Sequence, residues 1–318
     1  MRIAGTPAVE GAAAGERPAA RQPASSPGGP LDSERRWAWV FLAPALIGLA
    51  ILSAGPILAT LAISFTDWDL LTPPTWVGLD NFGELMQTPR FWRAMQNTFF
   101  YTLLSVPLGM AIALALAMGL DQAIRGIAWI RTMYFLPLVT SAVAVGLVWL
   151  WIYAPAGGLL NVLLSTFGIP PQRWVSDPFW AMPAIIVMSV WQGLGVNIII
   201  FLAGLQGIPA HLYEAAKIDG AGTWAQFRKI TWPLLSPTTF YVLVIGVINA
   251  MQAFSQMHVM TQGGPLGRTT TIVYYLYQLA FENFTMGRAS AVACILFVLL
   301  LVLTVIQFRV MGSRVHYE

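Results

Sequence analysis

Long apolar stretches separated by short polar connectors dominate the chain. Crossing a hydrocarbon core of about 30 Å takes about 20 helical residues. Six stretches meet that length, at roughly 37–64, 99–119, 132–153, 179–205, 234–260 and 289–309. They are apolar throughout and lack the two-residue alternation of membrane β-strands, which excludes a β-barrel. The pattern predicts an all-α integral membrane protein with six transmembrane helices and a polar loop between the fourth and fifth.

That loop, residues 207–233, reads as a helix, a turn and a second helix. Pro209 suits a helix start, Gly220 suits a left-handed cap, and Thr223 with Gln226 has capping-box spacing. Leu212, Ala215, Ala216 and Asp219 share a face at i, i+3, i+4, i+7, with Glu214, Lys217, Arg228 and Lys229 at its rim. A shallow alanine face with charged edges fits docking against another protein. An ordinary surface helix on a connecting loop is the simpler alternative.

Composition agrees with membrane insertion: 57% of residues are hydrophobic, 10% are charged, and mean hydropathy is +0.67. The net charge of +3 is carried mostly by arginines at span ends, which concerns orientation and not nucleic acid. With the N-terminus in the cytoplasm, Arg35, Arg36, Arg125, Arg131, Lys217, Arg228, Lys229, Arg309 and Arg314 lie inside. Arg90, Arg93, Arg173, Arg268 and Arg288 lie outside, and both termini are cytoplasmic. Residues 1–33, rich in Ala, Pro, Gly and Ser, read as a disordered cytoplasmic tail ahead of a membrane domain at 34–318. The first apolar run is too long for a secretory h-region, and Arg35 and Arg36 read as flanking charge. A single cysteine, Cys294, excludes an intrachain disulfide.

The span interiors hold no Asp, Glu, Lys or Arg; His258, near the end of the fifth, reads as a hydrogen-bonded boundary residue. Ion-coupled carriers usually keep an intramembrane charge to bind or relay the ion. The sequence also has no GxxxxGK[ST] loop, and its two lysines, Lys217 and Lys229, are in the wrong context for one. Any nucleotide hydrolysis then occurs on another polypeptide, and this chain is not an enzyme. Uncharged polar side chains suit a polar, neutral solute. Asn249, Gln252 and Gln256 fall on one face of the fifth span, and Ser189 and Gln192 on one face of the fourth beside Trp191, with Asn197 pointing elsewhere. Hydrogen bonding between neighbouring helices explains the same residues equally well. A stand-alone channel or secondary carrier, and a membrane scaffold without transport, remain as alternative functions.

Glu214-Ala215-Ala216, Asp219-Gly220-Ala221, Ile230 and Pro233 resemble the EAA motif of permease subunits of sugar-type ATP-binding-cassette importers. The resemblance runs from about Arg35 to the C-terminus and includes FTDWDL, WVGLDNF and TQGGP (Thr261–Pro265). It implies that the loop is a cytoplasmic coupling helix seated in a separate ATPase, with Glu214, Ala215, Ala216, Asp219, Gly220 and Ala221 as coupling contacts. It implies that spans flanking the loop line the path, so that Ser189, Trp191, Gln192, Asn249, Gln252 and Gln256 are candidate solute contacts. It further implies a bacterial inner membrane, a second and different permease chain, two ATPase subunits holding ATP and magnesium, no cofactor on this chain, an extracytoplasmic solute-binding protein, and a carbohydrate cargo carried by alternating access. Ala250, Gln252 and Ala253 depart from the asparagines found in relatives of the maltose importer.

Overall fold

A computed structural model describes residues 30–121, 134, 136, 137 and 139–311. Most of the expected tail, residues 1–29, lies outside the described residues, and helix starts at Pro30, ahead of the expected boundary. The chain divides into two units, Met1–Pro56 and Ile57–Glu318. The first contributes α1 (Pro30–Leu49) and a π turn, Ala50–Ala54. Helix α2 (Gly55–Ile63) leads into the second unit, which holds every candidate site residue.

After α2, a two-residue ladder pairs β1 (Thr66–Asp67) with β2 (Thr75–Trp76). The Asp69 carboxylate closes the turn by accepting from the Thr72 amide, the Thr72 hydroxyl and the Leu71 amide, which holds its pKa below the usual carboxylate value. Helices α3 (Asp80–Gln87) and α4 (Pro89–Leu120) follow, and α4 starts about ten residues before the expected second span. Next come α5 (Ala142–Ile152), α6 (Leu159–Ser165) and α7 (Ala181–Gln206). Of the expected span at 132–153, residues 132, 133, 135 and 138 lie outside the described residues. Ser141 is extended at ψ 135°, so α5 begins only at Ala142.

The polar loop forms α8 (Ala210–Ile218), α9 (Thr223–Gln226), a π segment at Phe227–Thr231 and α10 (Trp232–Leu234). The axis then turns by 64° into α11 (Ser236–Met251). Helix α12 (Ser255–Met260) continues the fifth apolar stretch after an interruption at residues 252–254, where one uninterrupted helix was expected. Phe254 leaves helical geometry at φ −130°, and the Thr271 hydroxyl donates to the Ala253 carbonyl at 2.9 Å. In an apolar medium a carbonyl freed from its helix needs such a partner. Helix α13 (Ile272–Tyr277), a π segment at Gln278–Glu282 and α14 (Met286–Met311) complete the chain.

Of the six spans expected, four helical stretches among the described residues are long and apolar enough to cross a membrane, or up to five if the bent pair Thr223–Leu234 and Ser236–Met251 counts as one span. In the second unit, α4 packs along α7, and α11 packs on both. Glycines set the approach of these helices, because packing without bulky side chains replaces the hydrophobic drive between helices in lipid. A Cβ on Gly204 of α7 would lie 2.5 Å from Thr238 Oγ1 and 2.8 Å from Leu235 Cδ1. A Cβ on Gly246 of α11 would lie 3.1 Å from Val106 Cγ1 of α4. Three apolar clusters fill the seams. One joins α4, α5, α7, α11 and α12 around Ile185, Met188 and Met257. A second joins α3, α13 and α14 to the start of α4 around Phe91 and Val292, so Phe91 is a core residue. A third, with Ala113, Phe201 and Leu235, lies where α4, α7 and α11 meet next to α8.

Overpacking at a closed contact costs about 1–3 kcal/mol. Gly204→Val is therefore expected to lower the thermal unfolding midpoint of the purified protein by roughly 2–12 °C. Gly119→Ala, where a Cβ meets nothing within 4 Å, is expected to leave the midpoint unchanged or slightly raised.

Candidate functional site

Two features separate from the packing: a polar groove between α4, α7 and α11, and the exposed surface of α8 and α9. The groove has a volume of about 320 Å³. Gly109, Gly193 and Gly246 line it, and its polar wall carries Tyr101, Ser105, Ser189, Gln192, Asn197, Asn249 and Gln256. Asn249 is exposed to the groove, and Gln192, Asn197 and Gln256 are half-buried along it. No Asp, Glu, Lys, Arg or His is among the lining residues. Amides and hydroxyls both donate and accept, so this wall matches a solute with the same mixed capacity.

Of the residues expected from the sequence, Ser189, Gln192, Asn249 and Gln256 come together here. Trp191 does not. Its ring packs edge-on against Trp149 at 5.6 Å and lines apolar crevices with Pro137 and Leu194 or Val148. Gln252 also falls outside the groove lining, because it caps the end of α11 and the interruption carries it off the shared face. Asn197, expected to point elsewhere, lines the groove. The groove spans a wide arc of α7, and Asn197 sits above Gly109, where a Cβ would lie 4.0 Å from its Nδ2. Tyr101 and Ser105 on α4 were missed, although their i, i+4 polar spacing within an apolar span was a visible signal.

Next to the groove, His258 is packed in rings. It stacks on Phe254 at 5.1 Å and meets Tyr277 at 5.2 Å and Tyr274 at 5.8 Å. The expected hydrogen bond is not formed at Nδ1, which is buried without a partner among the described residues. The TQGGP segment belongs to a loop held by threonines that the sequence reading passed over. Thr269 donates to the Gly264 carbonyl at 2.7 Å and Thr270 to the Gly263 carbonyl at 3.1 Å. Asn97 of α4 ties the same loop through the Gly267 and Thr270 carbonyls, each at 2.9 Å. Gly263 has φ +77° and its Cβ position is 2.6 Å from Thr270 Oγ1, so glycine is required there on both counts.

At the α8 surface, Gly220 takes φ +75° and forms the expected left-handed cap. The Ala221 amide donates to the Ala216 carbonyl at 2.8 Å and the Gly220 amide to the Lys217 carbonyl at 3.1 Å, a Schellman pair. Pro209 stands one residue before the helix, as its N-cap. The capping box does not form: Gly222 takes the N-cap position of α9, and Gln226 Nε2 donates to the Ala221 carbonyl at 2.7 Å. The presented face also differs from the expected one. Leu212 and Tyr213 pack toward the third apolar cluster, with Tyr213 Oη 2.9 Å from Thr231 Oγ1, and Ala216 is half-buried. The exposed ridge is Glu214, Ala215, Ile218, Asp219 and Gly220, with Ala221 half-buried at its end. Ile218 is 87% exposed, and Trp224 on α9 is 71% exposed and stacked on Phe227. Neither Ile218 nor Trp224 was singled out in the sequence; the exposure of Ile218 needed the rotation of α8 to be known.

Residues 105–315 match the family described as binding-protein-dependent transport system inner membrane component. A probable ABC transporter permease protein, YesP, of Bacillus subtilis is 39% identical over 285 residues, covering 88% of this chain and 92% of its own. The sn-glycerol-3-phosphate transport system permease protein UgpA of Brucella abortus is 35% identical over 284 residues, covering 88% and 96%. A crystal structure of a bacterial ABC transporter involved in the import of the acidic polysaccharide alginate superimposes with a TM-score of 0.79 at 26% identity, covering 89% and 98%. This chain belongs to that family of inner membrane components: it is a multi-pass permease subunit of a binding-protein-dependent ATP-binding-cassette transporter, without an ATPase site of its own.

Proposed function

We propose that the chain is one of two membrane subunits of an importer that carries a carbohydrate: a sugar, an oligosaccharide or a polyol phosphate. The observation that carries this reading is that α7 and α11 enter both features. They wall the polar groove, and they are the two helices joined by the α8–α10 loop. Movement of the loop therefore reaches the groove through two packed helices that touch at Gly204 and Thr238. The relatives named for glycerol 3-phosphate and alginate support a polyhydroxyl cargo.

On this reading the membrane domain, residues 34–318, crosses the bacterial inner membrane six times, with both termini and loop 207–233 in the cytoplasm and residues 1–33 as a tail. The loop is the coupling helix. Glu214, Ala215, Ala216, Asp219, Gly220 and Ala221 contact one of two ATPase subunits, which hold ATP and magnesium; this chain binds no cofactor. A second, different permease chain closes the open side of the groove, and a solute-binding protein delivers cargo from outside. Hydrolysis shifts the pair between outward-open and inward-open states, each with its own affinity for cargo.

Two sets of variants test this in the reconstituted importer. Gly220→Val forces a β-branched residue into left-handed geometry, and Glu214→Lys reverses a charge on the exposed ridge. Both are expected to cut uptake per ATP hydrolysed by about tenfold or more, equivalent to about 1.4 kcal/mol of lost coupling. Unchanged uptake in both would contradict the coupling role. Asn249→Leu with Gln256→Leu is expected to abolish uptake without loss of assembly, whereas Gln252→Leu keeps it within about twofold, since Gln252 is outside the groove. Equal losses from both would place the path elsewhere.

A further inference from the structure

Resting on the groove as the solute path, we propose that the cargo is an uncharged polyhydroxyl compound and that this chain selects against anions. Relatives named for a phosphate ester and an acidic polysaccharide point the other way, whereas one named for lactose agrees. The polar groups that line the groove, among them Tyr101, Ser105, Gln192, Asn197, Asn249 and Gln256, are neutral amides and hydroxyls. Each amide offers a donor and an acceptor, as each sugar hydroxyl does, so the pairing needs no ionic partner. An anion brought into the same groove would leave water without a cation to receive it, and an unpaired charge moved out of water is penalised far more than a neutral polar group.

The cations on the side of the TQGGP loop are engaged elsewhere. Arg93 donates to the Leu266 carbonyl, and Arg90 to Gln278 Oε1 while lying over the Tyr275 ring. Arg268 lines a separate cleft with Gln96, Phe100 and Phe179. None of the three lines the groove.

The test uses the complete importer in proteoliposomes, with partner permease, ATPase subunits and binding protein, so that any cation supplied by the partner is present. Radiolabelled lactose and maltotriose serve as neutral probes, and glycerol 3-phosphate and trigalacturonate as anionic ones. Expected is ATP-dependent uptake of a neutral probe, with either anion carried at least about tenfold more slowly. Asn249→Leu then lowers that uptake about tenfold, the worth of one hydrogen bond. Asn249→Asp, which still accepts from a hydroxyl, keeps it within about threefold. Uptake of an anionic probe at the neutral rate or above overturns the proposal, as does an Asp variant more impaired than the Leu variant. Absence of ATP-dependent uptake for all four probes contradicts the carbohydrate-importer reading itself, and is thereby told apart from a failure of charge selection alone.

Discussion

The close approach of α4, α7 and α11 at glycines is the contact on which the rest of the structure depends. Helices in lipid gain little from burying apolar side chains against each other, so backbone-to-backbone packing at small residues carries the association. Gly204 lets α7 meet Thr238 and Leu235, and Gly246 lets α11 meet Val106. The same absence of side chains has a second consequence. Where Gly109, Gly193 and Gly246 line the groove, a space of about 320 Å³ stays open, and amides from α7, α11 and α12 reach into it. Gly246 therefore serves both the packing and the groove.

Chemistry and mechanics are divided along the same helices. Within the spans the chain commits to neutral polar groups, and it keeps its lysines, acids and arginines at their ends. That agrees with a family of permease subunits that have no ATPase site of their own. The exposed ridge on α8 is rigid at its end because the Schellman pair at Gly220 and Ala221 satisfies the last carbonyls of the helix. Tyr213 and Leu212 fix the opposite face of α8 to the third apolar cluster. On the proposed function, force applied to the ridge is delivered to α7 and α11 with little local give.

Hydropathy alone located four of the six expected spans, because lipid imposes length and composition on anything that crosses it. The polar loop and its Gly220 cap were legible for a similar reason: glycine at a helix end has a backbone cause that does not need tertiary context. What escaped the sequence depended on distant partners. The interruption at residues 252–254 has no glycine or proline to announce it, and its freed carbonyl is satisfied by Thr271, 18 residues further on. That single event removed Gln252 from the stripe drawn for a continuous helix. Trp191 lies off the groove and Asn197 on it because the direction of the groove around α7 is set by α4 and α11. Leu212 turned inward because an apolar cluster lay beneath it, leaving Ile218 on the surface. The capping box failed at Thr223 because Gly222 took the N-cap position, leaving Thr223 inside the helix.

On the proposed function, the exposed ridge on α8 and the groove are two ends of one rigid α7–α11 lever. The most direct measurement is the distance between spin labels at Ile218→Cys on the ridge and Ile245→Cys in the groove wall, on a Cys294→Ala background, in the assembled importer. A rigid lever predicts the same distance, within about 2 Å, in the nucleotide-free and ATP-trapped states, while either label moves relative to the partner permease. A change within the chain of about one helical turn, roughly 5 Å, would mean that loop and groove move independently, and would contradict the account.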